Sequence, residues 1–374
     1  MKDLGFTIEA LYAVEEPDAP ALAATFRVGK RVLARTAVGP RPVAGRLDLT
    51  GLAPGDHELV LEFRLGEDPE GAPLLRRLSR FSILADPAAT LARLDAALAA
   101  EGVDAAPVRR ESLREIRTTL TRIAEGERLE TDLPAAALAA RAESWAAMKT
   151  PRDEDLLPAA GGEFHLVLRA GETRVPVRVL VPARKDGKPA PLVVALHGMG
   201  GSENMFFEGY GAGMAPRLAA ERGWIFVAPR LSAFGGFDLG AMIDDLARLA
   251  PIDPDRVYLV GHSMGAARAL GAATQDPARW AAAAFLGGGL ATRRAEALKG
   301  LPILVAAGER DFAKPGARAL FASLEAVPGH AARYLETPDT EHMTVVRAAL
   351  PDVFALFESA KRKPAPGQPE GKEG

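Results

Sequence analysis

The stretch that decides the fold of this chain is Val257-Tyr258-Leu259-Val260-Gly261-His262-Ser263-Met264-Gly265, which continues into Ala266-Ala267-Arg268-Ala269-Leu270. Its first four residues are an unbroken apolar run, typical of a strand that is buried on both faces. Its last five residues favour a helix. The turn between them has the pattern Gly-x-Ser-x-Gly, in which glycines permit a sharp strand-to-helix turn and the serine hydroxyl stays exposed above the sheet. The pattern therefore predicts Ser263 as a nucleophile.

The sequence around this turn alternates between buried strands and amphipathic helices. Further apolar runs occur at Leu192–Leu196, Trp224–Ala228, Ala283–Leu286 and Ile303–Ala307. Helices are predicted near Ala212–Arg222, Leu239–Ala250, Met264–Gln275, Gly316–Ala326 and from about Met343 to Lys361. This alternation predicts an α/β fold, with a mainly parallel sheet that is covered by helices on both faces. Two strands precede these runs, Phe164–Leu168 and Val175–Leu180, and Pro176 predicts a position near a sheet edge for the second.

The first 85 residues or so have a different pattern. Apolar and polar residues alternate in Thr7–Tyr12, Ala23–Val28 and His57–Arg64, with turn residues between these stretches. Several short strands at this spacing predict a small, Ig-like β-sandwich. No catalytic constellation is visible there, so we interpret residues 1–85 as an accessory domain. A carbohydrate-binding or polymer-binding role is the alternative.

Residues 86–155 change to the three-to-four spacing of amphipathic helices. The apolar positions that carry this spacing are Leu91, Leu94, Leu98, Leu113, Ile116, Leu120 and Ile123. Asp86-Pro87 is a helix-start signal, and a third helix is predicted over Pro134–Lys149. We expect a helical connector here, with a cap over the active site as the alternative. The catalytic part is then 156–362, and the tail 363–374, rich in proline, glycine and charge, is expected to be disordered.

Composition excludes several classes of function. The chain of 374 residues has no cysteine, which excludes disulfide scaffolds, thiol catalysis and cysteine-based metal sites. A net charge of −3 without a dense basic patch gives no support for nucleic-acid binding. No apolar run reaches the roughly 18–20 residues of a membrane helix. We expect no cofactor, no membrane or nucleic-acid partner, and a monomer or weak homodimer. The first residues lack a secretory apolar region, and the sequence does not identify a compartment. A periplasmic or extracellular location would require a leader that had been removed.

A serine nucleophile needs a base, and the base needs an acid that orients it. His342 is our candidate base, in the loop that follows the strand Arg333–Glu336. His330 is its main rival. Asp311 is the candidate acid, because it comes directly after the strand Ile303–Ala307, where active-site groups of open α/β sheets converge. Its alternative role is to cap the next helix, and Glu309 and Asp339 are the nearest substitutes.

The tetrahedral intermediate of acyl transfer requires backbone donors for its oxyanion. The N–H of Met264, directly after the nucleophile, is one candidate. The N–H of Met199, in the glycine-rich loop His197–Gly201, is the other. Aromatic side chains near these loops are candidate substrate-binding residues, namely Phe206, Phe207, Tyr210 and Phe312, with packing in the core as the alternative for each.

Residues of roughly 160–360 resemble the α/β-hydrolase superfamily. The residues that carry the resemblance are the loop His197-Gly198-Met199-Gly200-Gly201 and the turn Asp255–Gly265. They look like the branch of dienelactone hydrolases, feruloyl esterases and polyhydroxybutyrate depolymerases, and prolyl oligopeptidase catalytic domains share much of the pattern. The resemblance implies a serine hydrolase with a covalent acyl-enzyme. Two departures are the absence of cysteine, since secreted esterases of this branch often carry disulfides, and Ser263 where dienelactone hydrolases have a cysteine.

Three hypotheses for function follow from the sequence. The leading one is a carboxylesterase that hydrolyses small or polymeric esters through Ser263, His342 and Asp311. The second is a serine peptidase of prolyl-oligopeptidase type, in which the N-terminal domain restricts access. The third is a non-catalytic binding protein on a hydrolase fold.

Overall fold

The computed structural model describes residues 3–8, 22–38, 43–65, 72–100, 106–127, 129–183 and 187–362. The packing divides the chain into two units, Met1–Asp95 with Thr119–Ser144, and Ala96–Thr118 with Trp145–Gly374. The division therefore falls within three helices, α1 (Pro87–Ala100), α2 (Pro107–Ala124) and α3 (Ala135–Ala146). The domain boundaries expected from the sequence stay a prediction, and the tail 363–374 lies outside the described residues.

The first unit contains two antiparallel sheets. Its strands are β1 (Asp3–Ile8), β2 (Leu22–Val28), β3 (Arg31–Val38), β4 (Val43–Asp48), β5 (Gly55–Leu65) and β6 (Leu75–Ile83). Strand β1 pairs with β4, and the other four have the order β3-β2-β5-β6. Phe26 of β2 and Leu47 of β4 belong to one buried cluster, so the two sheets share a core. The alternating pattern predicts a small Ig-like β-sandwich here; an antiparallel β domain at the N-terminus is confirmed, and its Ig-like character stays a prediction.

Helices of the first unit begin where capping side chains are available. Asp86 accepts a hydrogen bond from the N–H of Ala89 at the start of α1, at 2.9 Å, as the Asp-Pro signal predicts. Helix α3 (Ala135–Ala146) begins with the carboxylate of Asp56, which accepts from the N–H groups of Ala136 and Ala137. A negative charge at a helix N-terminus stabilises it, because the first N–H groups have no partner within the helix.

The second unit is built on an eight-stranded sheet. Its strands are β7 (Gly162–Ala170), β8 (Thr173–Val181), β9 (Ala190–Leu196), β10 (Ile225–Pro229), β11 (Ile252–His262), β12 (Ala282–Leu286), β13 (Pro302–Gly308) and β14 (Ala331–Thr337). The order is β14-β13-β12-β11-β9-β10-β8-β7. The first six strands in this order are parallel, whereas β8 runs antiparallel to β10 and β7. Strand β8, which contains Pro176, is second from the edge.

Helices fill the connections of this sheet, as the alternating pattern predicts. They are α4 (Met214–Glu221), α5 (Leu239–Ala247), α6 (Met264–Gln275), α7 (Lys314–Glu325) and α8 (Thr344–Glu358). Residues of α4 and α8 pack with Val193, Tyr258 and Leu304 of the sheet in one buried cluster. The predicted mainly parallel fold is confirmed. Across the described ranges, every helix is too short or too polar to cross a bilayer.

Candidate active site

The turn after β11 places Ser263 between the strand and α6, as predicted. The backbone of Ser263 has φ +54° and ψ −118°, a conformation that a residue with a side chain rarely adopts. A Cβ at position 261 would lie 2.2 Å from the carbonyl oxygen of Gly265, and one at position 265 would lie 2.0 Å from that of Leu196. Both flanking glycines are therefore required by backbone contacts, while the strain at Ser263 costs about 1–3 kcal/mol.

Ser263, His342 and Asp311 form one hydrogen-bonded line. The Nε2 atom of His342 lies 3.0 Å from the Oγ of Ser263, and its Nδ1 atom lies 2.8 Å from Oδ1 of Asp311. An ionised carboxylate only accepts hydrogen bonds, so Nδ1 carries the proton and Nε2 is left to accept from the serine hydroxyl. The side chain of Asp311 is fully buried. Such a line can remove the hydroxyl proton as the oxygen attacks an electrophile.

The three residues come together because β11, β13 and β14 are parallel and end at the same edge of the sheet. The rival base, His330, precedes β14, whereas His342 follows it, so the two histidines lie at opposite ends of that strand. Asp311 Oδ1 also accepts from the N–H of Ala313 at 2.8 Å, directly before α7. The capping role weighed from the sequence therefore coexists with the contact to His342.

The glycine-rich loop after β9 lies against the serine. A Cβ at position 198 would be 3.3 Å from the Cβ of Ser263. The carbonyl oxygen of Gly198 is held by Nδ1 of His197 at 2.7 Å and by the N–H of Gly201 at 3.3 Å. Because the Gly198–Met199 peptide bond is trans, its N–H points away from that carbonyl. Among the described residues, no acceptor is found for the N–H groups of Met199 and Met264.

His197 has a fixed tautomer. Its Nε2 atom accepts from the N–H of Leu231 at 2.9 Å, so the remaining ring proton is on Nδ1, where it is donated to Gly198. His197 therefore has a structural role in this loop. It ties the loop after β9 to the end of β10.

Three of the four predicted substrate-binding aromatics are buried. Phe206 and Phe207 are 0% and 4% exposed, and both rings contact Phe226 of β10 in the core. They offer no surface to a substrate, so the prediction is wrong for these two. The reason is a single π-helical turn, Met205–Gly209, that directs both rings inward. Tyr210 is also buried, and its hydroxyl is hydrogen-bonded to the N–H of Gly198 and to His262, which corrects its predicted role.

Phe312 differs from the other three aromatics. Its side chain is exposed, and the centre of its ring lies 4.1 Å from that of His342. It covers one face of the imidazole and is open on its other side. Phe312 therefore stays a candidate for substrate contact.

Two ion pairs, one of them fully buried, anchor the segment that follows the glycine-rich loop. Arg178 of β8, 2% exposed, contacts Glu208 at 2.8 Å, and Arg230 contacts Glu203 at 2.5 Å. Asn204 between them accepts from Nε2 of His165 at 3.1 Å. Burial lowers the pKa of His165 to about 3, so this ring is neutral. Breaking the buried Arg178–Glu208 pair costs about 3–5 kcal/mol, because a charge is then left in the protein interior. Sequence reasoning missed this cluster, whose members are distant along the chain.

A cavity of about 1080 Å³ opens beside α6 at the end of β9. Phe237 and Arg268 are among its lining residues, and Arg268 donates to the carbonyl oxygen of Gly235 at 2.8 Å, which fixes one wall. In the part of the chain that the structure describes, no group of three or more histidine or carboxylate side chains is arranged to hold a metal ion.

Comparisons with known proteins give one family model, one curated relative and several solved structures. Residues 193–369 match the model of the alpha/beta hydrolase family. A curated relative from Nocardia uniformis subsp. tsuyamanensis, "Putative esterase NocK", is 31% identical over 151 residues, which are 36% of this chain and 43% of that protein. The chain therefore spans less than half the length of this relative.

Solved structures resemble the chain at low identity. A thermostable esterase aligns over 96% of this chain and 95% of its own, with a TM-score of 0.47 and 16% identity. The feruloyl esterase module from Clostridium thermocellum aligns over 56% of this chain and 93% of its own, with a TM-score of 0.47 and 14% identity. The fluorophosphonate-binding serine hydrolase FphF of Staphylococcus aureus aligns over 53% of this chain and 98% of its own, with a TM-score of 0.44 and 15% identity.

Proposed function

We propose that this α/β hydrolase cleaves carboxylic esters through a covalent acyl-enzyme on Ser263. The observation that carries the proposal is the line from Ser263 Oγ to His342 Nε2 at 3.0 Å and from His342 Nδ1 to Asp311 Oδ1 at 2.8 Å. A nucleophile, a base and an orienting acid within hydrogen-bond reach are the signature of nucleophilic acyl transfer.

The reaction proceeds in two halves. In the first half, Ser263 Oγ forms a bond to the ester carbonyl carbon while His342 Nε2 takes its proton. When the tetrahedral intermediate collapses, the bond to the alcohol oxygen breaks, and the imidazolium returns the proton to that leaving oxygen. In the second half, water attacks the acyl-enzyme by the same route and releases the acid and the free serine. Asp311 stabilises the imidazolium in both halves.

The oxyanion is assigned to the N–H groups of Met199 and Met264. The N–H of Gly198 is engaged by the hydroxyl of Tyr210, and the next carbonyl is held by His197, which supports Met199 as the free donor of this loop. Met264 begins α6, where the first N–H groups have no partner within the helix. Two such donors, fixed before the reaction, stabilise the charge that develops on the carbonyl oxygen, and losing one typically costs about 10²–10³ in turnover.

The substrate class is inferred from a rim of exposed apolar side chains at the edge of the sheet that carries Ser263. In the second unit, the large exposed apolar side chains among the described residues are Met199, Phe234, Leu290, Phe312 and Met343. They follow β9, β10, β12, β13 and β14, respectively, and the carboxyl ends of these parallel strands meet at the edge that carries the serine. Exposed apolar patches mark binding surfaces. The rim therefore favours esters with an apolar acyl or aryl group.

A substrate panel tests this function. We expect p-nitrophenyl acetate and octanoate to be hydrolysed, octanoate with the higher kcat/KM, and peptide p-nitroanilides to be cleaved far more slowly. A fluorophosphonate probe is expected to label Ser263, as found by peptide mass spectrometry. Peptide cleavage with negligible ester turnover would instead indicate a peptidase. A folded chain that the probe does not label would indicate a binding protein.

Changes in the rim are expected to alter chain-length preference. Leu290→Ser and Phe234→Ser should each lower kcat/KM for the octanoate about tenfold, because partial burial of one large apolar side chain is worth about 1–2 kcal/mol. The acetate should be affected much less, since its short acyl group can bury little apolar surface. Leu78→Ser, which changes an exposed leucine of β6, is the matched control and should leave both rates unchanged. Equal losses on both esters would contradict a role in acyl binding.

A further inference from the structure

Two buried side chains outside the catalytic line connect three loops of the site. The hydroxyl of Tyr210 lies 3.1 Å from the backbone nitrogen of Gly198 and 2.8 Å from Nδ1 of His262. The other ring nitrogen of His262, Nε2, lies 2.8 Å from the carbonyl oxygen of His342. Tyr210 and His262 are 3% and 1% exposed, so water does not compete for these hydrogen bonds.

The direction of each hydrogen bond in this series is determined by the backbone groups at the two ends of the series. A carbonyl oxygen only accepts, so His262 donates Nε2–H to His342. In a neutral imidazole, Nδ1 is then an acceptor, and the Tyr210 hydroxyl must donate to it. The hydroxyl oxygen in turn accepts from the N–H of Gly198. Burial lowers the pKa of His262 to about 4, which agrees with a neutral ring. One arrangement of protons thus satisfies every polar atom of the two side chains.

The geometry points to a positioning role for Tyr210 and His262 in ester cleavage, and this inference rests on the function proposed above. Gly198 precedes the assigned oxyanion donor Met199, His262 precedes the nucleophile, and the last acceptor belongs to the base itself. This series of hydrogen bonds therefore fixes the positions of the glycine-rich loop and of the loop that carries His342 relative to Ser263. Loops that are 52 and 80 residues apart along the sequence are joined by these contacts.

These hydrogen bonds are expected to affect the rate of ester cleavage, because acyl transfer requires the base and the oxyanion donors to be in place at the same time. A displacement of about 1 Å at a reacting centre lowers the rate about 10²-fold. The alternative is that Tyr210 only fills space, since its ring also packs edge-on against Phe206 and His262. Tyr210→Phe separates the two roles, because it keeps the ring and removes only the hydroxyl.

We expect Tyr210→Phe to lower kcat for p-nitrophenyl acetate about 10²-fold with little change in KM, since the substrate still binds but the reacting groups lose their register. The rate at which a fluorophosphonate labels Ser263 should fall in parallel, because this reaction uses the same base and donors. Tyr258→Phe is the matched control. Tyr258 is a fully buried tyrosine whose hydroxyl donates to the carbonyl oxygen of Ala360 at 3.0 Å, outside the site. It should lose thermal stability while its kcat stays at the wild-type value.

Replacement of His262 provides the second comparison. The side-chain amide of glutamine can donate an N–H to one of the two neighbours of His262 and accept through its oxygen from the other, whereas leucine can do neither. His262→Gln should therefore keep a larger share of kcat than His262→Leu, and this pair decides the matter even if Tyr210→Phe does not fold.

Two outcomes would overturn the inference alone while the proposed function stands. One is an active wild-type protein in which Tyr210→Phe has the kcat of Tyr258→Phe, or loses only in KM. The other is an equal loss in His262→Gln and His262→Leu. A wild-type protein with neither ester turnover nor labelling of Ser263 would instead overturn the proposed function, and this role with it.

Discussion

Ser263→Ala is expected to lower ester turnover by about 10⁶-fold while the melting temperature stays close to that of the wild-type protein. The loss is large because, among the described residues, Ser263 provides the hydroxyl that is hydrogen-bonded to His342. Stability is retained because alanine keeps the Cβ and the backbone conformation at this turn. The backbone hydrogen bond from residue 263 to the carbonyl oxygen of Leu286, at 2.9 Å, is also unchanged. Initial rates with p-nitrophenyl acetate and a thermal melt give both quantities.

Ser232→Ala is the control for this change. Ser232 lies in the exposed loop after β10, and its hydroxyl only accepts from the N–H of Phe234 at 3.3 Å. We expect wild-type turnover and full labelling by the fluorophosphonate. Turnover by Ser263→Ala that remained near the wild-type rate would remove this serine as the nucleophile, and a matching loss in Ser232→Ala would point to a general effect on the fold.

His342→Ala is expected to cost nearly as much as Ser263→Ala, and the double variant should be hardly slower than either single one. The two side chains act as one unit, because the hydroxyl is a poor nucleophile without the base and the base has no other proton to take. We would compare kcat/KM of the wild-type protein, both single variants and the double variant in one thermodynamic cycle.

His330→Ala separates the two candidate bases. His330 lies at the other end of β14, where its Nδ1 accepts from the N–H of Ala332 at 3.2 Å. Its replacement should leave turnover near the wild-type rate. If the losses from Ser263→Ala and His342→Ala multiplied in the double variant, the two residues would act independently, and His342 would not be the base.

The parts of the fold that local patterns encode were predictable. Helix α6 has the bounds that the sequence predicts, because two glycines and a serine mark its start and alanines continue it. The order of the strands follows from unbroken apolar runs, and the predicted helices lie in the stretches between these runs. Asp311 and His342 could be predicted for the same reason, since each lies in the loop that follows a recognisable strand. The geometry of their line agrees with the predicted pairing, while their catalytic roles stay a prediction.

The residues that sequence reasoning misjudged lie in a segment whose apolar residues follow neither helix nor strand periodicity. The segment 202–213 consists of short irregular turns, so the direction of Phe206 and Phe207 could not be deduced from spacing. The contacts of Tyr210 could not be deduced from spacing either, because its partners are 12 and 52 residues away along the sequence. One signal was available. A tyrosine among apolar residues must find a partner for its hydroxyl when it is buried, and a histidine next to the nucleophile is near enough to be considered.

The backbone of Ser263 has an evolutionary consequence. A glycine at this position would adopt φ +54° without steric strain, whereas a serine is strained there by about 1–3 kcal/mol. The hydroxyl that we propose as the nucleophile therefore lies on a residue whose backbone conformation opposes folding. Heat-resistant descendants of this protein would have to gain their stability elsewhere, at surface charges, helix ends or loops, and leave this one unfavourable torsion in place.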